Sequence, residues 1–215
     1  MPYMEGLYGK SADEIMGELG EVAYYDPLEG PVTADDYLSG DVKTKLVEAR
    51  AAAKENPGRY GRNVEALEKV IPVDLLPSQI FASPGAAWVD PKDYEDFAKE
   101  ITGAPGYAVN YIAATAMWLT SPQGAVDVGK DTSEYGTQRA HATGLFNLLL
   151  NGKAPVVYDT IRVDGSDRRV VNESETEAAA ERQNKIRAKW ESWIWADPER
   201  AARLAAAYNE KHNRT

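Results

Sequence analysis

The chain has no cysteine among its 215 residues, which excludes disulfides, thiolate metal sites and a catalytic thiol together. Histidine is almost as scarce, with two. His212 lies near the C-terminus, and His141 sits in Gln138-Arg139-Ala140-His141-Ala142, read as helical. No His-x-x-x-His pair exists to hold a metal, and neither ring is set beside a nucleophile. No apolar run approaches the ~18 residues of a membrane span. Residues 1–10 lack the basic patch and apolar stretch of a signal peptide. Missing too is a Gly-rich strand-to-helix turn ending in Gly-Lys-Ser or Gly-Lys-Thr, so no ATP site is expected. There is no Gly-rich turn for S-adenosylmethionine, and of the adenine-methyltransferase run Asp-Pro-Pro-Tyr only Asp26-Pro27 is present. These absences predict no catalytic residues, no metal, no cofactor and no membrane partner, and they suit a cytoplasmic location.

What is present is acidic. The 34 Asp and Glu outnumber 24 Lys and Arg, for a net charge of −10. Duplex DNA is bound largely by Lys and Arg displacing counterions from phosphates, so the chain starts at a disadvantage for that task. The excess is uneven. Residues 1–56 are acidic, whereas 130–190 are balanced, with basic groups at Arg168-Arg169 and over 182–189. The acidic groups read as a solvated surface, since a DNA mimic would need denser acidic runs.

Twelve Tyr and five Trp supply anchors for a core, and local signals divide the chain. Ser11 with Glu14 forms a capping box for a helix carrying Ile15 and Leu19. A short strand over 21–25 then ends at Asp26-Pro27, and Gly30-Pro31 mark a turn. Thr33 caps a short helix. After Ser39-Gly40, a helix from Asp41 turns Val42, Leu46 and Ala53 inward, and a third helix over 64–70 aligns Leu67 with Val70. Helix, strand and turn in this order read as the tail of a winged helix-turn-helix, whose first helix would lie before Met1. Acidity favours packing over DNA binding for such a unit.

Beyond the Pro72 and Pro77 connector, short strands are expected at Ile80-Phe81 and Ala87-Trp88-Val89. Asp90-Pro91 then opens a helix burying Tyr94, Phe97, Ala98 and Ile101. Residues 107–119 read as one strand, 120–133 as a polar loop or hairpin, and 137–150 as a helix. Residues 154–163 and the return strand at Arg169-Val170-Val171 form a hairpin around Asp164-Gly165. Ser174 with Glu177 is a second capping box, opening a long helix through Ile186, Trp190 and Ile194, and Asp197-Pro198 starts the last one. The fold class is therefore α+β, with a helical, winged-helix-like unit over 1–70 and an α+β domain over 71–215, a small antiparallel sheet framed by helices.

Two groups carry functional interest. Tyr135-Gly136-Thr137-Gln138-Arg139 enters a helix whose free N–H groups suit a phosphate, or else Thr137 is a plain N-cap and Arg139 the partner of a nearby carboxylate. With Arg168, Arg169 and Lys189, these are the candidate nucleic-acid contacts. Trp88, Trp118, Trp190, Trp193 and Trp195 either stack on unpaired bases or pack inside. Helical spacing favours packing, with Trp190, Trp193 and Trp195 as candidates for an interdomain role.

The run 33–50, TADDYLSGDVKTKLVEAR, together with Asn63-Val64-Glu65-Ala66-Leu67, Ala87-Trp88-Val89, Tyr135 to Arg139, Val157-Tyr158-Asp159-Thr160-Ile161 and 193–200, WIWADPER, resembles in the same order a segment of very large phage and mobile-element proteins. In those proteins an adenine-specific DNA methyltransferase comes first and a SWI/SNF-like helicase last. The resemblance implies a non-catalytic connecting module. Its partners would be the flanking methyltransferase and helicase of one polypeptide, which would bring it to DNA. The alternative is a stand-alone acidic partner-binding or antirestriction protein.

Overall fold

The computed structural model describes residues 2–215, which form two compact units. One comprises the residues up to 76 together with 206–215, and the other residues 77–205. The architecture is α+β, with helices and three separate two-stranded antiparallel ribbons among the described residues. No helix among them is long and apolar enough to cross a membrane.

The first unit opens on α1 (Pro2–Tyr8) and α2 (Ala12–Leu19). The first helix of the helix-turn-helix pair is thus present after Met1, contrary to expectation, and Glu5 ties the two helices by accepting from the Ala12 N–H at 2.9 Å. The Ser11–Glu14 capping box closes in both directions. Strands β1 (Ala23–Asp26) and β2 (Gly30–Thr33) pair as a hairpin. Its tip is fixed by the Asp26 carboxylate, which accepts from the N–H groups of Leu28 and Glu29 at 2.7 and 2.9 Å. Thr33, Asp41 and Asn56 cap α3 (Ala34–Tyr37), α4 (Val42–Glu55) and α5 (Pro57–Val70).

Helix α5 is twice the length read from the pattern, because Pro57 costs nothing in a first turn. Tyr24, Tyr37, Val42, Leu46, Ala49 and Leu67 make the core. Ala49 rather than Ala53 completes the inner stripe of α4, and Val70 is exposed, one step beyond the buried face of α5. Asn63, fully buried, donates to the Tyr37 hydroxyl at 3.0 Å and the Tyr25 carbonyl at 2.9 Å. Burial pushes the Tyr37 phenol up to about 12. The C-terminal residues return to this unit. The Asn209 amide of α9 (Pro198–Lys211) bonds both the N–H and the carbonyl of Leu75, at 2.8 and 2.9 Å. Arg214 grips Asp41 at 3.0 Å.

The second unit holds α6 (Pro91–Thr102), α7 (Ala142–Leu150), α8 (Glu173–Trp193) and the first turns of α9. Two ribbons accompany them, β3 (Gly106–Ile112) with β4 (Met117–Gln123), and β5 (Tyr158–Val163) with β6 (Ser166–Val171). Its core gathers Tyr94, Phe97, Trp118, Phe146, Ile186 and Trp190. Residues 107–119 are not one strand. The chain reverses at 113–116, with Ala116 in the left-handed region at φ 51°.

Residues 80–89 contain no strand, because side chains satisfy their carbonyls instead. The Trp190 and Trp118 indole N–H groups donate to Ala82 and Gly85 at 2.8 and 2.9 Å, and the Tyr94 hydroxyl to Ala86 at 3.1 Å. The helix expected from Thr137 begins only at Ala142, with His141 at its N-cap. The cap of α8 is Asn172, not Ser174, and accepts from Glu175 N–H at 3.0 Å. Pairing of β5 starts only at Tyr158. The Thr176 hydroxyl takes the Val157 N–H at 2.9 Å, and Pro155 has no N–H to offer a ladder.

Candidate functional site

The start of α7 is built from a distance. His141 offers no side-chain cap, and the carboxylate of Asp131, 3 % exposed, does that work from a single π-helical turn (Lys130–Glu134). One oxygen accepts from the Thr143 N–H at 3.0 Å, and the other faces His141 Nδ1 at 3.2 Å. The connecting loop closes so tightly at Gly136 that an added Cβ would lie 2.0 Å from the Asp131 carbonyl oxygen and 2.5 Å from the Ala142 nitrogen. The Thr137 hydroxyl is folded into this loop, accepting from Arg139 and Ala140 N–H groups at 3.2 and 2.9 Å. The helix start therefore already carries a carboxylate where an anion would sit.

Beside it lies a groove of about 740 Å³. Tyr107 and Thr120 come from the β3–β4 ribbon, Arg139 and His141 from the approach to α7, and Tyr158 and Arg169 from the base of the β5–β6 ribbon. Its apolar wall is Leu148, Pro155 and Val156. Arg139 pairs with Asp159 at 2.5 Å and donates to the Tyr158 carbonyl at 2.7 Å. The hydrogen bond from Arg139 to Asp159, with a second from Asn172, holds the Asp159 carboxyl below the usual range. Arg169 lies 4.4 Å over the Tyr158 ring. Two of the expected contacts, Arg139 and Arg169, are thus brought together around Tyr158. Arg168 points to the opposite face of the ribbon, as alternation requires. Lys189 lies elsewhere, paired with Glu100 at 2.7 Å.

Tyr107 joins the groove without any signal in the sequence. It is 5 % exposed, burial pushes its phenol up to about 12, and its hydroxyl lies beside Thr120 without a hydrogen bond. Among the tryptophans, Trp190 is fully enclosed in the core of the second unit, whereas Trp193 and Trp195 are half-buried against that core. Trp193 carries Arg200 at 3.6 Å over its ring. Among the described residues no group of three or more His, Asp or Glu could hold a metal ion.

In the first unit, α1, α2 and the β1–β2 hairpin follow the order helix, turn, helix, wing. Nine carboxylates and no Lys or Arg lie between Ser11 and Val42. The nearest cations are already engaged, Lys10 with Glu18 and Arg59 with Asp13.

No curated protein and no solved structure matches this chain. Residues 1–33, which are this helix-turn-helix and wing, match the family model described as "Probable helicase, winged helix domain". That match associates the chain with helicases, of which a winged helix is a non-catalytic part. Residues 83–214, more than half of the chain and nearly all of the second unit, match the model of a domain of unknown function, DUF8437, and the chain belongs to that family.

Proposed function

We propose that the chain is a non-catalytic connecting module of a helicase-containing polypeptide, of the methyltransferase–helicase kind found in phages and mobile elements. Its winged-helix unit docks on protein rather than on duplex DNA. The observation that carries this reading is the stretch from Ser11 to Val42. A DNA-reading winged helix sets its second helix in the major groove and its wing along the backbone, and both need cations. Here the exposed face of α2 presents Asp13, Glu14 and Glu18, and the wing tip presents Glu29 beside an exposed Leu28. Such a face repels phosphate and suits a partner with basic and apolar groups. The helicase winged-helix match supports placing that partner in the same polypeptide.

The test is a fluorescence anisotropy titration of the chain with a labelled duplex at physiological salt, beside pull-down of the helicase part of the parent polypeptide. Retention of the helicase part, lost when Asp13, Glu14 and Glu18 are changed to Lys, is the expected result, with weak or no duplex binding. A salt-sensitive sub-micromolar duplex affinity would overturn the reading. The chain alone is also expected to hydrolyse no ATP and transfer no methyl group to DNA.

A further inference from the structure

The groove beside α7 differs in charge from its surroundings. The chain carries ten more acidic than basic groups, and the smaller clefts of the first unit are each lined by at least one carboxylate. This groove is lined by two arginines and a histidine, and by no carboxylate. Of the acidic groups beside it, Asp159 is engaged by Arg139 and by Asn172 at 2.8 Å, and the buried Asp131 by the Thr143 N–H at 3.0 Å and by His141. Arg169 has no ion pair among the described residues, so its charge remains available to an incoming anion.

A second observation is independent of charge. The Tyr107 hydroxyl in the groove wall makes no hydrogen bond. A buried hydroxyl left unmatched is costly, and a ligand group that displaced its cover would remove that cost. The same groove is also lined by the apolar side chains of Leu148, Pro155 and Val156. A cationic end, a polar hydroxyl and apolar side chains in one groove match a nucleotide, whose phosphate, sugar hydroxyls and flat base need those three environments.

We infer that this groove binds a nucleotide unit of single-stranded nucleic acid, with its phosphate on Arg169 and its base against the Leu148–Val156 wall. Arg139 keeps Asp159 neutralised beside the phosphate, and Asp131 lies buried behind His141 at the start of α7. The choice of a nucleotide over other anions rests on the helicase association proposed above.

The experiment titrates the full chain with a labelled oligothymidylate, with thymidine 5′-monophosphate as competitor. Arg169→Ala is expected to weaken binding about tenfold, the weight of one charge-assisted hydrogen bond. Arg168→Ala, one residue away on the other face, should change it by less than about twofold, because a screened charge facing away from the ligand contributes little. The logarithm of affinity should fall with the logarithm of salt at a slope of about −0.7 to −1.4, for one or two phosphates. Tyr107→Phe should weaken binding without lowering the melting midpoint. Competition by the mononucleotide identifies a free nucleotide as sufficient, and binding by the oligomer alone assigns the groove to a strand. Absence of saturable binding by either probe, or equal losses from the two arginine variants, would overturn the inference. Helicase pull-down is a separate measurement, so failure of the groove and failure of the docking role are told apart.

Discussion

Trp190 is the residue on which most of the second unit converges. It stacks on Tyr94 at 4.7 Å, meets Phe97 edge-on at 5.1 Å, and gives its N–H to Ala82. Trp190→Ala should cost ~3–5 kcal/mol, since it opens a cavity and orphans a carbonyl. Denaturant unfolding followed by circular dichroism checks this, and Trp195→Ala, half-buried, should cost far less. Gly136→Ala is the opposite error, adding a methyl group where backbone atoms stand 2.0 and 2.5 Å away. Overpacking of this kind typically costs ~1–3 kcal/mol. A melting midpoint unchanged from the parent would mean the loop relaxes more freely than its geometry allows. Residue type alone singled out Arg139 and Arg169. Nothing in the sequence brings Tyr107 to them, because it arrives from a ribbon about thirty residues before Arg139, and Asp131 reaches His141 and Thr143 only through the tight loop at Gly136.

At the scale of elements, the signals that could be read were the local ones. The Ser11–Glu14 box, Asp90-Pro91 and the Asp164-Gly165 turn each depend on residues within four positions, and each occurs as expected. The β3–β4 ribbon is not legible in the sequence, because its reversal at Ala113-Ala114-Thr115-Ala116 carries no Gly, Asn or Pro to announce it. The strands expected in 80–89 are absent for a nonlocal reason, as indole and phenol groups from elsewhere take their carbonyls. The β5–β6 ribbon is held to the α7 approach by the Arg139–Asp159 pair, and this clasp has a pH signature. The folded-state pKa of Asp159 is depressed, so its contribution is complete above the ordinary carboxylate value of ~3.9 and lost as pH falls through the lowered one. Asp159→Asn should therefore melt below the parent at neutral pH, with the gap closing in strong acid. A gap that stayed constant with pH would dissociate the clasp from the carboxylate's charge.

For the whole molecule, the division into two units makes a spectroscopic prediction. All five tryptophans lie within 77–205, so indole fluorescence reports on the second unit alone. Asn209→Ala removes both bonds to Leu75 and the one accepted from Asn213 at 2.9 Å, all within the first unit. Leaving these part-buried groups of Leu75 unpaired should cost up to ~1–3 kcal/mol. Far-ultraviolet circular dichroism should then show an early transition that tryptophan fluorescence does not follow. Coincident and equally shifted curves would show instead that the two units melt as one block.

The order of the units along the chain has a mechanical consequence. The chain leaves the first unit after Leu76 and comes back to it at Ala206, so the second unit is spliced into the first rather than appended to it. A force applied between the two ends enters through the first unit on both sides. Tension reaches residues 77–205 only once the grip of Asn209 on Leu75 and of Arg214 on Asp41 has given way. In a stretching experiment the first unit would act as the latch, and the contour of the second would be released after it.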